Sequence, residues 1–359
     1  MKNLKVVFLF SILFSGSIIS CSKKKTSSPE VIAVKTLEIK GADMSLLPEI
    51  RLSGISIKNA NNQSEDMLLT LKNKGVNVIR LRVWNNPLES TSSLESVKIL
   101  SDEIHAMGMK VFLTVHYSDS WADPSQQTKP LAWQTLNITD LKDSVYQFTS
   151  KIMTQIHPDY IQIGNEINNG FLWPEGSYSN LNQMKALLQK GIEAVRAANS
   201  GTKIVIHFAG HSNANGFYNS LNGLDYDIIG LSYYPMWHGK SLDSLKSNLI
   251  TISTTQNKPI FLAETAYPFT FGYNDFTNNI VGLSSQILPD FEPTVDGQKA
   301  YLAKLKSILL EVPNGIGFCY WGGEWISYKG STATNGSAVE NQAFWDFQNK
   351  ALPILDVFK

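Results

Sequence analysis

Residues 160–176 read YIQIGNEINNGFLWPEG. Tyr160 to Ile163 is a short apolar run of the kind that forms a buried strand, and it breaks at Gly164 into Asn165 and Glu166. A carboxylic acid at that position leaves a rigid element and enters the space beyond the strand's C-terminal end. In parallel α/β folds that space is where chemistry sits. The fold is decided by whether the rest of the chain repeats this pattern.

It does. Apolar strands are expected at Leu37–Met44, Val76–Trp84, Lys110–Asp119, Tyr160–Glu166, Lys203–Ala209, Asp227–Pro235, Pro259–Pro268 and Gly315–Trp321. Several are nearly continuous apolar runs (VFLTV, IVI, IFLA), the mark of strands buried on both faces. Between most of them lie helical patterns: Glu65–Lys74, Leu94–Met107, Leu141–His157, Leu181–Ala198, Leu242–Gln256 and Gly297–Val312. Gly75 and Gly108 close the first two. Eight strands alternating with helices over this length are most simply a closed (β/α)8 barrel, the TIM-barrel class, in one catalytic domain spanning residues 37–359. A doubly wound open sheet is the alternative, but no Gly-rich dinucleotide or phosphate loop follows the first strand.

The 359 residues are 43% hydrophobic and 17% charged with zero formal net charge, enough for a sizeable core and a poor match to nucleic acid or any polyanion. The N-terminus reads differently. MKNLK is a short basic segment, Val6 to Ser20 is apolar, and Ile18-Ile19-Ser20-Cys21 resembles a bacterial lipobox. Residues 1–20 are thus expected to be a lipoprotein signal peptide, Cys21 the lipidated first mature residue, and residues 21–36 a flexible tether. With only 2 Cys in the chain, acylation of Cys21 leaves Cys319 without a disulfide partner. The expected location is the bacterial cell envelope, at the outer membrane, with the lipid anchor as the sole membrane contact.

Polar and aromatic residues gather where the strands end. Asp43, Arg82, His116, Asn165 with Glu166, His207, Tyr234, Glu264 and Trp321 each fall at or near such an end. A strand-end His or Arg alone is more often structural. Eight strands converging such residues on one barrel face favour an active site. Glu166 and Glu264 come from strands four and seven, opposite each other across a narrow mouth. Retaining glycoside hydrolysis needs such a pair, one acid protonating the leaving oxygen and one carboxylate attacking the anomeric carbon, roughly 5–5.5 Å apart. Donors such as Arg82 and Tyr234 would keep the nucleophile ionised. Trp84, Trp121, Trp173, Trp237 and Trp321 lie on the same strands or the following loops, suited to stacking on sugar rings. No HExxH-type metal spacing and no GxSxG elbow occurs.

The matching stretches are GADMS (41–45), IRLRVWNNP (79–87), HYSDSWADPSQQTKPLAW (116–133), IQIGNEINNGFLWPEG (161–176), IGLSYYPMWHG (229–239), AETAYP (263–268) and NQAFWDF (341–347). With these the chain closely resembles the endo-β-1,4-galactanases of glycoside hydrolase family 53, from Leu37 to the C-terminus. The resemblance implies Glu166 as acid/base, Glu264 as nucleophile, and β-1,4-galactan or type I arabinogalactan, the side chains of pectin, as substrate; separately, the chain is expected to act as a monomer. It also implies that Asn165 bonds the sugar 2-hydroxyl. Asp43, Arg82, Trp84, His116, Asp119, Trp121, Asp123, Asn168, Trp173, His207, Tyr234, Trp237, His238 and Trp321 would line the cleft. Two stretches depart from the family pattern. The segment Tyr273–Asn279 keeps only Asp275 and Asn279 of a calcium loop, so no cofactor or metal is expected. After strand eight, Gly322-Gly323-Glu324 replaces the usual Glu-Pro-Ala between two tryptophans. Readings that keep the fold but change the function are a glycan-binding lipoprotein without catalysis, or the same chemistry on mannan, xylan or glucan.

Overall fold

The computed structural model describes residues 35–88 and 90–359, with isolated positions nearer the N-terminus. The expected signal peptide, Cys21 and most of the tether lie outside the described residues. Thr36–Lys359 forms one compact unit. Among the described residues no helix is long and apolar enough to cross a membrane.

Eight parallel strands close into a barrel in sequential order, β1 pairing with β2 and so on until β8 pairs with β1. They are β1 (Ile39–Asp43), β2 (Val78–Val83), β3 (Lys110–Val115), β4 (Tyr160–Ile163), β5 (Lys203–Ala209), β6 (Ile228–Ser232), β7 (Ile260–Thr265) and β8 (Gly315–Tyr320). The helices are α1 (Leu47–Leu52), α2 (Met67–Asn73), α3 (Leu94–Ala106), α4 (Ile138–Ile156), α5 (Leu181–Ala198), α6 (Ala214–Ser220), α7 (Pro235–His238), α8 (Leu242–Gln256) and α9 (Val295–Glu311). Side-chain caps start several of them. Asp66 accepts from Leu68 N, Ser93 from Ser96 N, Asn137 from Thr139 and Asp140 N, and Thr294 from Gly297 N.

Period-two alternation sends each strand's side chains to two apolar layers. Ile79, Leu81, Leu113, Ile161, Ile204, Ile206, Ile229 and Leu262 join the large core shared with the helices. Ile39, Val78, Phe112, Tyr160, Val205, Ile228, Phe261 and Cys319 form a second cluster that fills the base of the barrel. Climbing the inward face from that plug, the chemistry changes within one strand length. β1 runs Ile39, Gly41, Asp43; β2 runs Val78, Arg80, Arg82; β5 runs Val205, His207. The apolar base seals the barrel, and the polar upper rungs face its C-terminal mouth.

Four strands stop three or more residues short of their expected ends. β3, β4, β6 and β7 end at Val115, Ile163, Ser232 and Thr265 rather than at Asp119, Glu166, Pro235 and Pro268. The residues beyond leave the ladder. Tyr117 and Glu166 take positive φ (51° and 47°), and Pro235 begins the one-turn helix α7. His116, Asn165, Glu166 and Tyr234 therefore sit just above the sheet, while Asp43, Arg82, His207 and Glu264 stay on its strands.

Candidate active site

Gly164, with φ of 79°, turns the chain out of β4; a Cβ there would lie 2.6 Å from Ile167 Cγ2. The turn drops Asn165 into the barrel and lifts Glu166, in the left-handed region that L-residues disfavour, towards the mouth. Asn168 pins this loop to the end of β5, its Oδ1 accepting from Ala209 N at 2.7 Å and its Nδ2 donating to Ala209 O at 2.9 Å. Across the barrel, the register between β6 and β7 slips between Leu231 and Ser232, so that Ser232 pairs with Glu264. This bulge turns Glu264 inward directly after Ala263, itself part of the inner cluster.

The two glutamates meet in the mouth. A carboxylate oxygen of each and a ring nitrogen of His207 all lie within 4.8 Å of one another. Their surroundings differ. Arg80 Nη2 donates to Glu264 Oε1 at 2.7 Å, and Tyr234 OH donates to Glu264 Oε2 at 3.0 Å. Arg80 is itself held by Asp43, accepting from Nη1 at 3.2 Å, and by Asn165 Oδ1 at 3.1 Å from Nη2. Glu166 has Ser232 Oγ against its Oε1 and, among the described residues, no cation in contact. Burial, then the neighbouring charge of Glu264, pushes Glu166 up to about 8. Burial also raises Glu264, but Arg80 and the Tyr234 hydrogen bond oppose it. In this coupled pair the first proton leaves Glu264 and the second is retained by Glu166.

A cavity of about 670 Å³ opens over the pair. Trp121, with His116 and Trp321 against its ring, lines it, as do Trp237, Met236 and Ile287. Such an arrangement can protonate a bridging oxygen from one side while a carboxylate attacks from the other, which is acetal hydrolysis by paired carboxyls. A family model described as glycosyl hydrolase family 53 matches residues 39–358. The chain belongs to glycosyl hydrolase family 53. It is 31% identical over 426 residues to an endo-β-1,4-galactanase of Bacillus subtilis strain 168, covering 100% of this chain and 97% of that one. It is 33% identical over 342 residues to an arabinogalactan endo-β-1,4-galactanase of Cellvibrio japonicus, covering 89% and 90%. The family 53 catalytic domain of Ignisphaera aggregans superposes with a TM-score of 0.86 at 37% identity, over 92% of this chain and 97% of that domain.

In this family 53 hydrolase Asp43, Arg82, His116, Trp121, Asp123, Asn165, Asn168, Tyr234, Trp237, His238 and Trp321 line the cavity with both glutamates. Four expected residues do not. Trp84 lies behind Trp121, their ring centroids 5.5 Å apart. Asp119 accepts from Asn86 N and Leu131 N and ties two loops together. Trp173 donates from Nε1 to Asn169 O, within its own loop. His207 is fully buried between Asn165 and Ser232 beneath the cavity floor. Arg82 also departs from its expected task. Its Nε donates to Ser92 Oγ, and its guanidinium lies 4.3 Å from the Trp121 ring, so it supports an aromatic wall. Arg80, one rung lower, is the donor to Glu264. Period two put both arginines on one face, but only the depth of the barrel tells which of them reaches the carboxylate.

His238 is neutral, lowered to about 4 by burial, and its Nδ1 accepts from Tyr234 N at 3.0 Å. Nε2 therefore carries the proton and is a hydrogen-bond donor at the cleft. After β8, Gly323 allows Phe344 to close in; a Cβ there would lie 2.4 Å from its ring. Glu324 then turns inward, and its Oε1 accepts from Leu46 N at 3.1 Å, linking the β8 and β1 loops.

Two groups of residues bear on metal binding among the described residues. Of Glu166, His207 and Glu264, Glu264 is already paired with Arg80, and both ring nitrogens of His207 are engaged by Asn165 and Ser232. In the 273–279 segment, Asp275 accepts from Thr277 N, Ser327 Oγ and Ser337 N, while Asn279 Nδ2 donates to Gly272 O. Protein N–H and O–H groups thus engage the Asp275 oxygens, while Asn279 Oδ1 is buried with no hydrogen-bond partner among the described residues.

Proposed function

We propose that this family 53 hydrolase is an endo-β-1,4-galactanase that cleaves galactan and type I arabinogalactan by a retaining double displacement. The carrying observation is the pair of carboxyls within 4.8 Å across the barrel mouth, one bound by a guanidinium and a phenol and the other by neither. Glu264, kept ionised by Arg80 and Tyr234, attacks the anomeric carbon. Glu166 gives its proton to the departing glycosidic oxygen. Water then enters, Glu166 takes a proton from it, and the resulting nucleophile releases the sugar from Glu264. The separation leaves no room for a water between the carboxyls in the first step, which favours retention over inversion. The choice of galactan rests on relatives whose described activity is on β-1,4-galactan or arabinogalactan.

Digestion of a panel of plant polysaccharides with product sizing tests the reading. Short oligosaccharides released from galactan, with β anomers seen first by proton NMR, are expected. Early α products, or cleavage confined to mannan, xylan or glucan, overturn it. The lipobox-like Ile18–Cys21 further supports an envelope-anchored enzyme. A Cys21→Ser chain released into the soluble fraction is the corresponding expectation.

A further inference from the structure

We infer that Ser232, His207 and Asn165 form a one-way hydrogen-bond relay that obliges Glu166 to carry a proton in the resting enzyme. The polarity follows from donors that have no choice. Arg80 Nη2 can only donate, so the Asn165 atom 3.1 Å from it is the carbonyl Oδ1. Gln162 Nε2 donates to the same oxygen at 2.9 Å, and Asn165 Nδ2 donates to Ala122 O at 2.8 Å, so the amide is fixed from three sides. His207 Nδ1, 3.2 Å from that carbonyl oxygen, must be its N–H.

His207 is neutral, lowered by burial and by Arg80, so its Nε2 is a lone pair. Ser232 Oγ is 2.9 Å from Nε2 and can satisfy it only by donating its hydroxyl hydrogen. Ser232 Oγ lies against Glu166 Oε1, where by position alone it could donate to a carboxylate. With its hydrogen committed to His207 Nε2, it offers Glu166 only a lone pair. The contact becomes a hydrogen bond when Glu166 is the carboxylic acid O–H and a lone-pair repulsion when it is the carboxylate. Reversing the relay requires a second proton on a buried imidazole near Arg80, or a flipped Asn165 whose amide would face the guanidinium. Both are costly. Ser232 and His207 are positioning residues for the proton that the proposed mechanism uses.

Other charged groups around Glu166 are Glu264 on β7, Arg80 on β2, Asp123 after β3 and the Tyr234 phenol after β6. His207 is faced also by His116 and His238. None donates a hydrogen bond to Glu166. The relay is therefore separable from the charges, since removing Ser232 leaves every charge in place.

The inference rests on Glu166 being the acid, but its test does not need turnover. Carbon-13 NMR of side-chain-labelled glutamate, with the Glu166 resonance assigned by its loss in Glu166→Gln, reads the pKa directly. Ser232→Ala is expected to lower it by about one unit, because the acid loses its acceptor and the carboxylate loses its repulsion. If Ser232 instead donates to the carboxylate, the same substitution raises the value, and a rise or no change overturns the relay. His207→Gln supplies a second variant, since an amide accepts either polarity, and it too should lower the value. A wild-type enzyme inert on galactan would break the functional reading and leave this titration intact as a measurement.

Discussion

Glu166 and Glu264 are the same residue type at the same level of one barrel, and they are built for opposite tasks by what faces them. Glu264 receives a guanidinium from β2 and a phenol from the β6 end, two groups that can only stabilise negative charge at working pH, since Tyr234 is pushed well above the ordinary phenol range by burial and by Glu264. Glu166 sits in a disfavoured backbone conformation with a serine against it and the Glu264 charge nearby. The difference shows that the role of a carboxyl is set by the donors that other strands bring to it. Replacing those donors, or the carboxyls themselves, should therefore change the two sites in distinct ways.

The largest effect is expected from the nucleophile. Glu264→Gln should lower kcat on galactan by about 10⁴-fold or more whatever the leaving group, measured by reducing-sugar release. Glu166→Gln should cost about 10²–10⁴-fold on galactan and far less on an aryl galactoside whose leaving group needs no proton. Equal losses on both substrates would erase the distinction. Arg80→Met should reduce kcat by about 10²-fold, as loss of a buried charged donor implies. It should also move the acidic limb of the kcat/KM profile upward, because Glu264 then loses the main opponent of its burial.

The barrel itself was legible before any coordinates because all eight strands are buried on both faces and so appear as apolar runs bounded by turn residues. The short helices α1, α6 and α7 were not, since their four to seven residues carry little periodicity, whereas the equally short α2 was marked by Met67, Leu68 and Leu71 and the Gly75 stop. The site was legible as a ring of strand-end polar residues, Glu166 and Glu264 among them. Depth was not. Whether Arg80 or Arg82 meets Glu264, and whether His207 lines the cleft or lies under it, depends on strand stagger around a closed barrel, which no single strand records. The β7 bulge that aims Glu264 inward carries no sequence mark either, and Ser232 looked like one more small residue in a strand.

A smaller effect concerns stability. With Glu166 held near 8 against an ordinary 4.5, protonation favours the folded state. That contribution is complete below the unfolded value and is lost as pH rises through the folded one. Glu166→Gln should therefore melt a few degrees above wild type at pH 8 and nearly with it at pH 4.5, by scanning fluorimetry. The smallest expected change is none at all. Chelator should leave Tm unaltered, because the Asp275 oxygens are satisfied by Thr277, Ser327 and Ser337.

Azide rescue tests the division of labour most directly. With an activated aryl β-galactoside, azide should revive Glu166→Ala by attacking the sugar bound to Glu264, giving the β-galactosyl azide. Azide added to Glu264→Ala should enter the vacated nucleophile site and give the α-galactosyl azide. An α product from the Glu166 variant, or a β product from the Glu264 variant, would contradict the assignment of the two carboxyls.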